Sequence, residues 1–357
     1  MGKFGVKIVG LLVLLVSPLA YGQTNLSCER YKLKPNYTAD FTKPSPSGWT
    51  EEQAYMEMPG TSVYYQLGII DDILAFQNER KLGCPQAKKP LDKMYSNKRI
   101  AEAQTLRVTL AIGYNDSGGN GFVWDDYLYK IFLAKFQAPC GRPMNANCGF
   151  SLRTYDDFQA ILTKNIFVNK VLEIQIINAA RSEDDEDNRK DPEQIKMSEL
   201  TQKRYHESFS NSQFVFYLGH SRNGGGPDFS PPKLLPNGHT DYDWYQKTKI
   251  NSNKMVSELT KISPQNRPLV FSILGCNSRL HYYNRLRNVL PKAGLILSRE
   301  EIYTVEFYEG ALTFINGLQF QKSTEDMNID FETVNIAHRQ NGSQESSLLF
   351  MNTPLTK

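Results

Sequence analysis

Two residues that could act as a nucleophile and its base each follow an apolar segment directly. Residues 214–219 lead into His220, and residues 270–275 lead in the same way into Cys276. A thiol is a poor nucleophile until it is deprotonated, and a positioned imidazole can both deprotonate it and orient it. The pair therefore predicts attack on a peptide carbonyl, with His220 as the base and Cys276 as the nucleophile.

Small residues surround this pair. Gly219 and Gly275 come immediately before the two side chains, and Ser221 comes immediately after the histidine. Glycine lets a substrate backbone approach closely, and the N–H groups that follow can stabilise an oxyanion. We expect Gly219, Ser221 and Gly275 to form this backbone part of the site.

The elements that must position these residues follow an alternating pattern. Buried strands are predicted at 106–114, 171–178, 213–219 and 269–275, with a shorter strand at 293–298 and a possible one at 149–154. Helices are predicted at 124–136, 155–164, 251–262, 280–290 and 310–318. This order predicts an α/β fold with a mostly parallel sheet, in which active sites form at the carboxyl ends of the strands. Because helix 251–262 can serve as the crossover between their strands, the imidazole and the thiol are expected at the same edge.

The N-terminus has the pattern of a cleavable secretory signal. Lys3 and Lys7 precede the apolar run 8–16, and small residues then allow cleavage after Gly22. An uncleaved anchor is the alternative, but the run is shorter than the about 20 residues that a membrane-spanning helix needs. We expect a secreted or periplasmic protein without stable membrane insertion after cleavage.

The rest of the chain is predicted to form one large domain with extensions. Residues 23–104 form a partly helical N-terminal extension, with a helix near 62–81, and are interpreted as a lid or a pro-segment. The α/β domain is expected to occupy 105–320, and 321–357 to be a C-terminal segment packed on it.

The five cysteines are an odd number for an exported chain, so one thiol is expected to stay unpaired. Cys140 and Cys148 flank a Gly/Pro/Asn-rich loop, and Cys28 and Cys84 both lie in the N-terminal region. These two pairings are plausible disulfides, which leaves Cys276 free.

The composition is that of an ordinary globular protein, with 22% charged and 40% hydrophobic residues. The formal charge is +3, and loss of a leader with two lysines reduces it to about +1, which gives no indication of a nucleic-acid partner. The acidic run 183–187 is predicted to be a solvated loop, with a calcium site as the alternative; no other cofactor is expected.

The strand ends at Gly219-His220 and Gly275-Cys276 resemble those of the caspase, gingipain and legumain clan of cysteine peptidases. The resemblance covers about 106–318, and residues 149–157, with their Gly-Phe start, are similar to the second strand of caspase-like domains. It implies a caspase-like three-layer α/β/α sandwich, a thioester acyl-enzyme and an exported member of bacterial type. It also implies the roles of His220 and Cys276 given above.

The chain departs from the clan in two places. Ser221 stands where the clan has glycine after the histidine, and the surroundings of Cys276 differ from the caspase signature Gln-Ala-Cys-X-Gly, so an aspartate preference is not carried over. The short connection from Cys276 to the next strand leaves no room for a cleaved linker and favours activity as a single chain.

The Gly/Pro-rich, then aromatic, loop 222–245 is expected to determine substrate preference. Asp228, Asp241 or Asp243 could select a basic side chain, with capping and turn roles as the alternative. The loop residues that we assign to substrate contact are Gly224, Gly225, Asp228, Asp241, Asp243 and Trp244.

Other interpretations stay open. Ser221 lies in a segment one residue short of the Gly-x-Ser-x-Gly elbow of serine α/β-hydrolases, and His281 is an alternative base. A phosphatase loop of the type Cys-x5-Arg fails, because position 282 is Tyr282. A non-catalytic protein that keeps the fold as a binding module is the remaining alternative.

Overall fold

The structure is a computed structural model, and it describes residues 71, 74, 75, 77, 78, 93–116, 121–141, 146–167, 169–302, 304–338 and 348–351. Its centre is an eight-stranded sheet in the order β2-β3-β4-β1-β5-β6-β7-β8. The strands are β1 (Thr105–Ile112), β2 (Ser151–Tyr155), β3 (Gln159–Phe167), β4 (Lys170–Ile177), β5 (Phe214–Leu218), β6 (Val270–Leu274), β7 (Gly294–Ser298) and β8 (Leu348–Met351).

The central five strands are parallel, and the antiparallel pairs lie at the two edges. Strands β4, β1, β5, β6 and β7 pair in parallel, whereas β2 with β3, β3 with β4, and β7 with β8 pair antiparallel. This mostly parallel arrangement confirms the predicted fold class.

Helices cover both faces of the sheet. They are α1 (Lys93–Ser96), α2 (Lys98–Ala101), α3 (Asp125–Gln137), α4 (Asp185–Lys190), α5 (Pro192–Asn211), α6 (Tyr242–Thr248), α7 (Ile250–Lys261), α8 (Ser278–Val289), α9 (Thr304–Gln319) and α10 (Thr324–His338). Alternate strand residues pack against α3, α9 and α10 on one face and against α5, α7 and α8 on the other. The predicted three-layer α/β/α sandwich is therefore confirmed.

The helix predicted at 155–164 is wrong, because this segment forms a hairpin turn and strand β3. The carboxylate of Asp156 accepts hydrogen bonds from the N–H groups of Phe158 and Gln159, each at 2.8 Å, which reverses the chain. Ala160 and Leu162 are then buried at the two-residue period of a strand. The possible strand at 149–154 is confirmed as β2, although it is exposed along its whole length and lies at the edge of the sheet.

The acidic run 183–187 is largely exposed, as predicted, but residues 185–187 begin helix α4 and are not part of a loop. Asp184 accepts hydrogen bonds from the N–H groups of Glu186 and Asp187 and caps α4. Asp185 pairs with Arg189 one turn later, at 2.6 Å. The acidic residues therefore begin a helix, where carboxylates are favoured by the helix dipole.

The described residues of the N-terminal extension pack against the domain. Residues 71, 74, 75, 77 and 78 are helical and buried, and Asp71 forms an ion pair with the buried Lys135 of α3. Asn78 Nδ2 donates to Asn316 Oδ1 at 3.0 Å on α9. Near residue 71, the extension is thus joined to the helix layer that contains α3 and α9.

The disulfide predicted between Cys140 and Cys148 is confirmed, with the two Cα atoms 5.2 Å apart. The second pairing, between Cys28 and Cys84, lies outside the described residues, as does the signal pattern at 1–22. Within the described ranges, no helix has the length and apolar character needed to span a membrane. The same ranges contain no cluster of three His, Cys, Asp or Glu side chains arranged to hold a metal ion.

Candidate active site

His220 and Cys276 lie beyond the carboxyl ends of two neighbouring strands. The parallel register pairs Leu218 of β5 with Leu274 of β6, and Gly219 N–H donates to Leu274 O at 3.0 Å. Each of the two residues stands two positions past this pair. The fold therefore brings both residues to the same edge of the sheet, and the parallel neighbours predicted from the sequence are confirmed.

The two glycines that precede these residues are explained by the packing of the chain against itself. A Cβ added to Gly275 would overlap the carbonyl oxygen of Gly219 and would lie 2.8 Å from Ser221 Oγ. A Cβ added to Gly219 would lie 2.8 Å from Asn115 Oδ1. Contacts within the protein therefore require glycine at both positions, whereas the sequence analysis attributed the glycines to the approach of a substrate.

The imidazole of His220 is fixed by a backbone carbonyl on the other side of β5. Its Nε2 lies 2.9 Å from the carbonyl oxygen of Asp116, in the loop after β1. Because a carbonyl can only accept, Nε2 carries the hydrogen and Nδ1 is the nitrogen with the free electron pair. The side chain keeps 29% of its surface exposed. Nδ1 is thus the basic atom, and a third group orients the ring, as a catalytic base requires.

The surroundings keep this imidazole neutral at physiological pH. Burial, and then the nearby guanidinium of Arg222, lower the pKa of His220 to about 4, although the Asp116 carboxylate opposes the shift. A neutral imidazole can accept a proton, which an imidazolium cannot.

Cys276 is a free thiol that is partly exposed. Its Sγ donates to the carbonyl oxygen of Ile302 at 3.5 Å, in the loop after β7. Burial is the main cause that raises the pKa of this thiol above its usual value. The thiol is therefore protonated in the resting protein, and nucleophilic attack requires a base.

The resting side chains do not bond to each other. The imidazole is held by the loop after β1 and the thiol by the loop after β7, and no hydrogen bond joins His220 to Cys276 in this part of the structure. The fold therefore places the two residues at one edge of the sheet without a hydrogen bond between their side chains.

Two residues at the strand ends have backbone N–H groups without an acceptor in another described residue. Those of Ser221 and Cys276 donate to no other protein group within the described ranges. Helix α8 begins at Ser278, two residues after the thiol, with its N-cap Asn277 in the left-handed region at φ 51°. N–H groups at a helix N-terminus favour negative charge, whereas the nearby carboxylates of Glu301 and Glu306 oppose it and add to burial in raising the pKa of the Cys276 thiol.

The aspartates of the loop 222–245 bind groups of the protein itself. Asp228 is buried and accepts hydrogen bonds from Tyr245 Oη at 2.7 Å and from Asn251 Nδ2 at 3.2 Å. Asp241 caps α6 and lies 3.2 Å from Lys233 Nζ. These contacts correspond to the capping and turn roles that were the alternative to selecting a basic substrate side chain.

The remaining loop residues have different surroundings. Asp243 is exposed in the first turn of α6, and Trp244 is half-buried with Lys233 Nζ 4.8 Å from its ring centre. Gly224 lies in a 3-10 turn, and a Cβ added there would be 3.3 Å from the His281 side chain. Substrate contacts of Gly224, Gly225, Asp243 and Trp244 stay a prediction.

The two alternative catalytic residues are less well placed. Ser221 is buried, and its Oγ has no hydrogen-bond partner, so no base activates it. The residues after it form the 3-10 turn Arg222–Gly224 in place of the helix of a nucleophile elbow. His281 lies on α8, and its ring packs against Gly224.

Sequence reasoning missed the residues that hold His220. Asn115 Oδ1 accepts a hydrogen bond from the backbone N–H of His220 at 3.2 Å, and the carbonyl of Asp116 holds its ring. Both follow the predicted strand β1. The rule that parallel strands end at a common edge was applied to β5 and β6 and would also have identified these two residues.

Comparisons of the chain with protein-family models, with curated proteins and with solved structures find no match.

Proposed function

We propose that this protein is an exported cysteine endopeptidase of the caspase, gingipain and legumain type that uses His220 and Cys276. The observation that carries the proposal is the imidazole tied through Nε2 to the Asp116 carbonyl, beside a strand end that holds a free thiol. Export rests on the pattern of residues 1–22. The substrate is then a peptide or protein met outside the cytoplasm.

The proposed reaction begins from a neutral pair. Nδ1 of His220 removes the thiol proton of Cys276 as Sγ attacks the scissile carbonyl carbon. The N–H groups of Ser221 and Cys276 stabilise the oxyanion. When the intermediate collapses, the C–N bond breaks and His220 donates its proton to the leaving amine. This step leaves a thioester acyl-enzyme.

Water then completes the cycle. His220 removes a proton from water, whose oxygen attacks the thioester carbonyl. The C–S bond breaks and the carboxylic acid product leaves. The proton returns from the imidazole to the Cys276 sulfur, so the resting thiol is restored and no cofactor is needed.

Alkylation of the thiol tests the pair without knowledge of the substrate. Since burial raises the pKa of Cys276 above its ordinary value, the thiol is protonated at pH 7, and rapid labelling there requires a base. We expect His220→Ala to lower the rate of labelling by iodoacetamide at pH 7 by about 10²-fold. Labelling of Cys276 is measured by peptide mass spectrometry under non-reducing conditions.

The same reaction at high pH provides the control. Above the thiol pKa the thiolate forms without help, so the wild-type and His220→Ala rates should converge once the pH exceeds that pKa. Equal rates at pH 7, or an inert thiol throughout, would contradict the proposed base. An inert thiol would favour the alternative of a non-catalytic binding protein.

The pH dependence of peptide hydrolysis should follow the imidazole. Because the pKa of His220 is lowered to about 4, the ring is neutral and able to act as a base above that pH. We expect kcat/KM to persist through pH 5 and to fall as the pH drops through about 4. A fall centred near the ordinary histidine value of about 6.5 would show that this ring is not the controlling base.

A further inference from the structure

Arg222 is a buried cation behind the candidate site, and its guanidinium joins three segments of the chain. It forms an ion pair with Asp116, and Nη2 donates to Tyr114 O at 3.2 Å in the loop after β1. Its Nε lies 3.8 Å from Asp228 Oδ2, and its guanidinium carbon lies 5.8 Å from the ring centre of Tyr245 on α6.

We propose that Arg222 is a positioning residue, which fixes His220 through Asp116. Asp116 accepts from the histidine with its backbone carbonyl and from Arg222 with its carboxylate. Thr240 Oγ1 holds the other carboxylate oxygen at 3.4 Å. The guanidinium thus immobilises the residue whose carbonyl orients the imidazole. The expected effect of Arg222 on turnover rests on the proposed function, whereas its effect on the position of the imidazole does not.

The energetics of the buried guanidinium favour a role beyond packing. Arg222 is 1% exposed, and both Nε and Nη1 lack a hydrogen-bond partner among the residues that the structure describes. A buried ion pair with unsatisfied donors is often less stable than an apolar replacement of similar volume. The arrangement is better explained by the geometry that it imposes on Asp116 than by its contribution to stability.

The charges that face His220 make this role measurable. Asp116 faces the ring from the loop after β1, and Arg222 faces it from the loop that follows β5. The guanidinium lowers the pKa of the imidazole, and the carboxylate raises it. Removing one charge or the other should therefore shift the titration in opposite directions, provided that the ring stays in place.

The test is the NMR titration of the histidine side chains in the full chain. We expect Arg222→Gln to raise the pKa of His220 from about 4 toward 6.5, and Asp116→Asn to lower it further. The asparagine keeps both the backbone carbonyl and an oxygen that accepts from Arg222, so the ring remains held. His206 on α5 has a pKa lowered to about 4 by burial and by Lys254, and it serves as the reference that neither variant should shift.

A third variant protects the test if Arg222→Gln does not fold. Arg222→Lys keeps the positive charge but loses the planar fork, so the pKa should stay near 4 while kcat falls by about tenfold or more at unchanged KM. Shifts of both charge variants in the same direction, or of neither, would overturn the positioning role. The titration can be measured without any enzymatic activity. If the wild-type protein cleaves no peptide but the two charge variants shift the pKa of His220 in opposite directions, the peptidase function is rejected and the positioning role is retained.

Discussion

Under the proposed mechanism, Cys276→Ala is expected to reduce peptide hydrolysis by about 10⁴-fold or more, because it removes the sulfur that attacks the substrate carbonyl. Loss of a catalytic nucleophile leaves only the acceleration due to binding and the oxyanion site. The thiol is partly exposed, and its only side-chain hydrogen bond is to Ile302 O, so alanine should leave the fold intact. Peptide-library cleavage followed by mass spectrometry measures the change, with circular dichroism to verify folding.

Ser221→Ala is the matched control, because the two candidate nucleophiles stand at neighbouring strand ends. The serine Oγ is buried and has no hydrogen-bond partner among the described residues, and the substitution keeps the backbone N–H. We expect activity to fall by less than about tenfold. The reverse result, with Ser221→Ala inactive and Cys276→Ala active, would support the serine hydrolase and end the cysteine mechanism.

The parts of the fold that could be predicted are those where burial is complete. All five residues of β5 and of β6 are buried, so each appears in the sequence as an apolar run, interrupted in β6 by Ser272. Helix α5 was missed because most of its surface is polar, and its buried residues, among them Met197, Thr201, Tyr205 and Phe209, form only one stripe. Its start nevertheless has a clear signal, since Asp191 caps it and Pro192 is its first residue.

In the candidate site, residues that directly follow a strand could be predicted from the sequence, whereas contacts between distant segments could not. His220 and Cys276 could be identified because each directly follows its strand. The ion pair of Arg222 with Asp116 could not, because it depends on the path of a loop. Arg222 and Asn223 adopt φ values of 47° and 48°, and the guanidinium of Arg222 pairs with Asp116 in the loop after β1. Left-handed backbone at non-glycine residues has no reliable signal in a single sequence.

The close contact between the ends of β5 and β6 makes Gly275 the most sensitive backbone position of the site. A methyl group there would overlap Gly219 O and crowd Ser221 Oγ at 2.8 Å. Because the overlapping atom is a backbone carbonyl, relief requires the strand ends to move apart. We expect Gly275→Ala to lower the free energy of unfolding by about 3 kcal/mol and to abolish activity. Urea denaturation and peptide hydrolysis measure the two effects.

Gly238→Ala separates this steric effect from the general cost of replacing a glycine. Gly238 has φ 84° and no atom within 4 Å of an added Cβ, so only backbone strain of about 1 to 2 kcal/mol is expected, with activity retained. If Gly275→Ala were as mild as this control and still active, the two strand ends would have room to separate. Imidazole and thiol would then not be held at a fixed spacing by the sheet, and the rigid pairing on which the proposed chemistry depends would have to be abandoned.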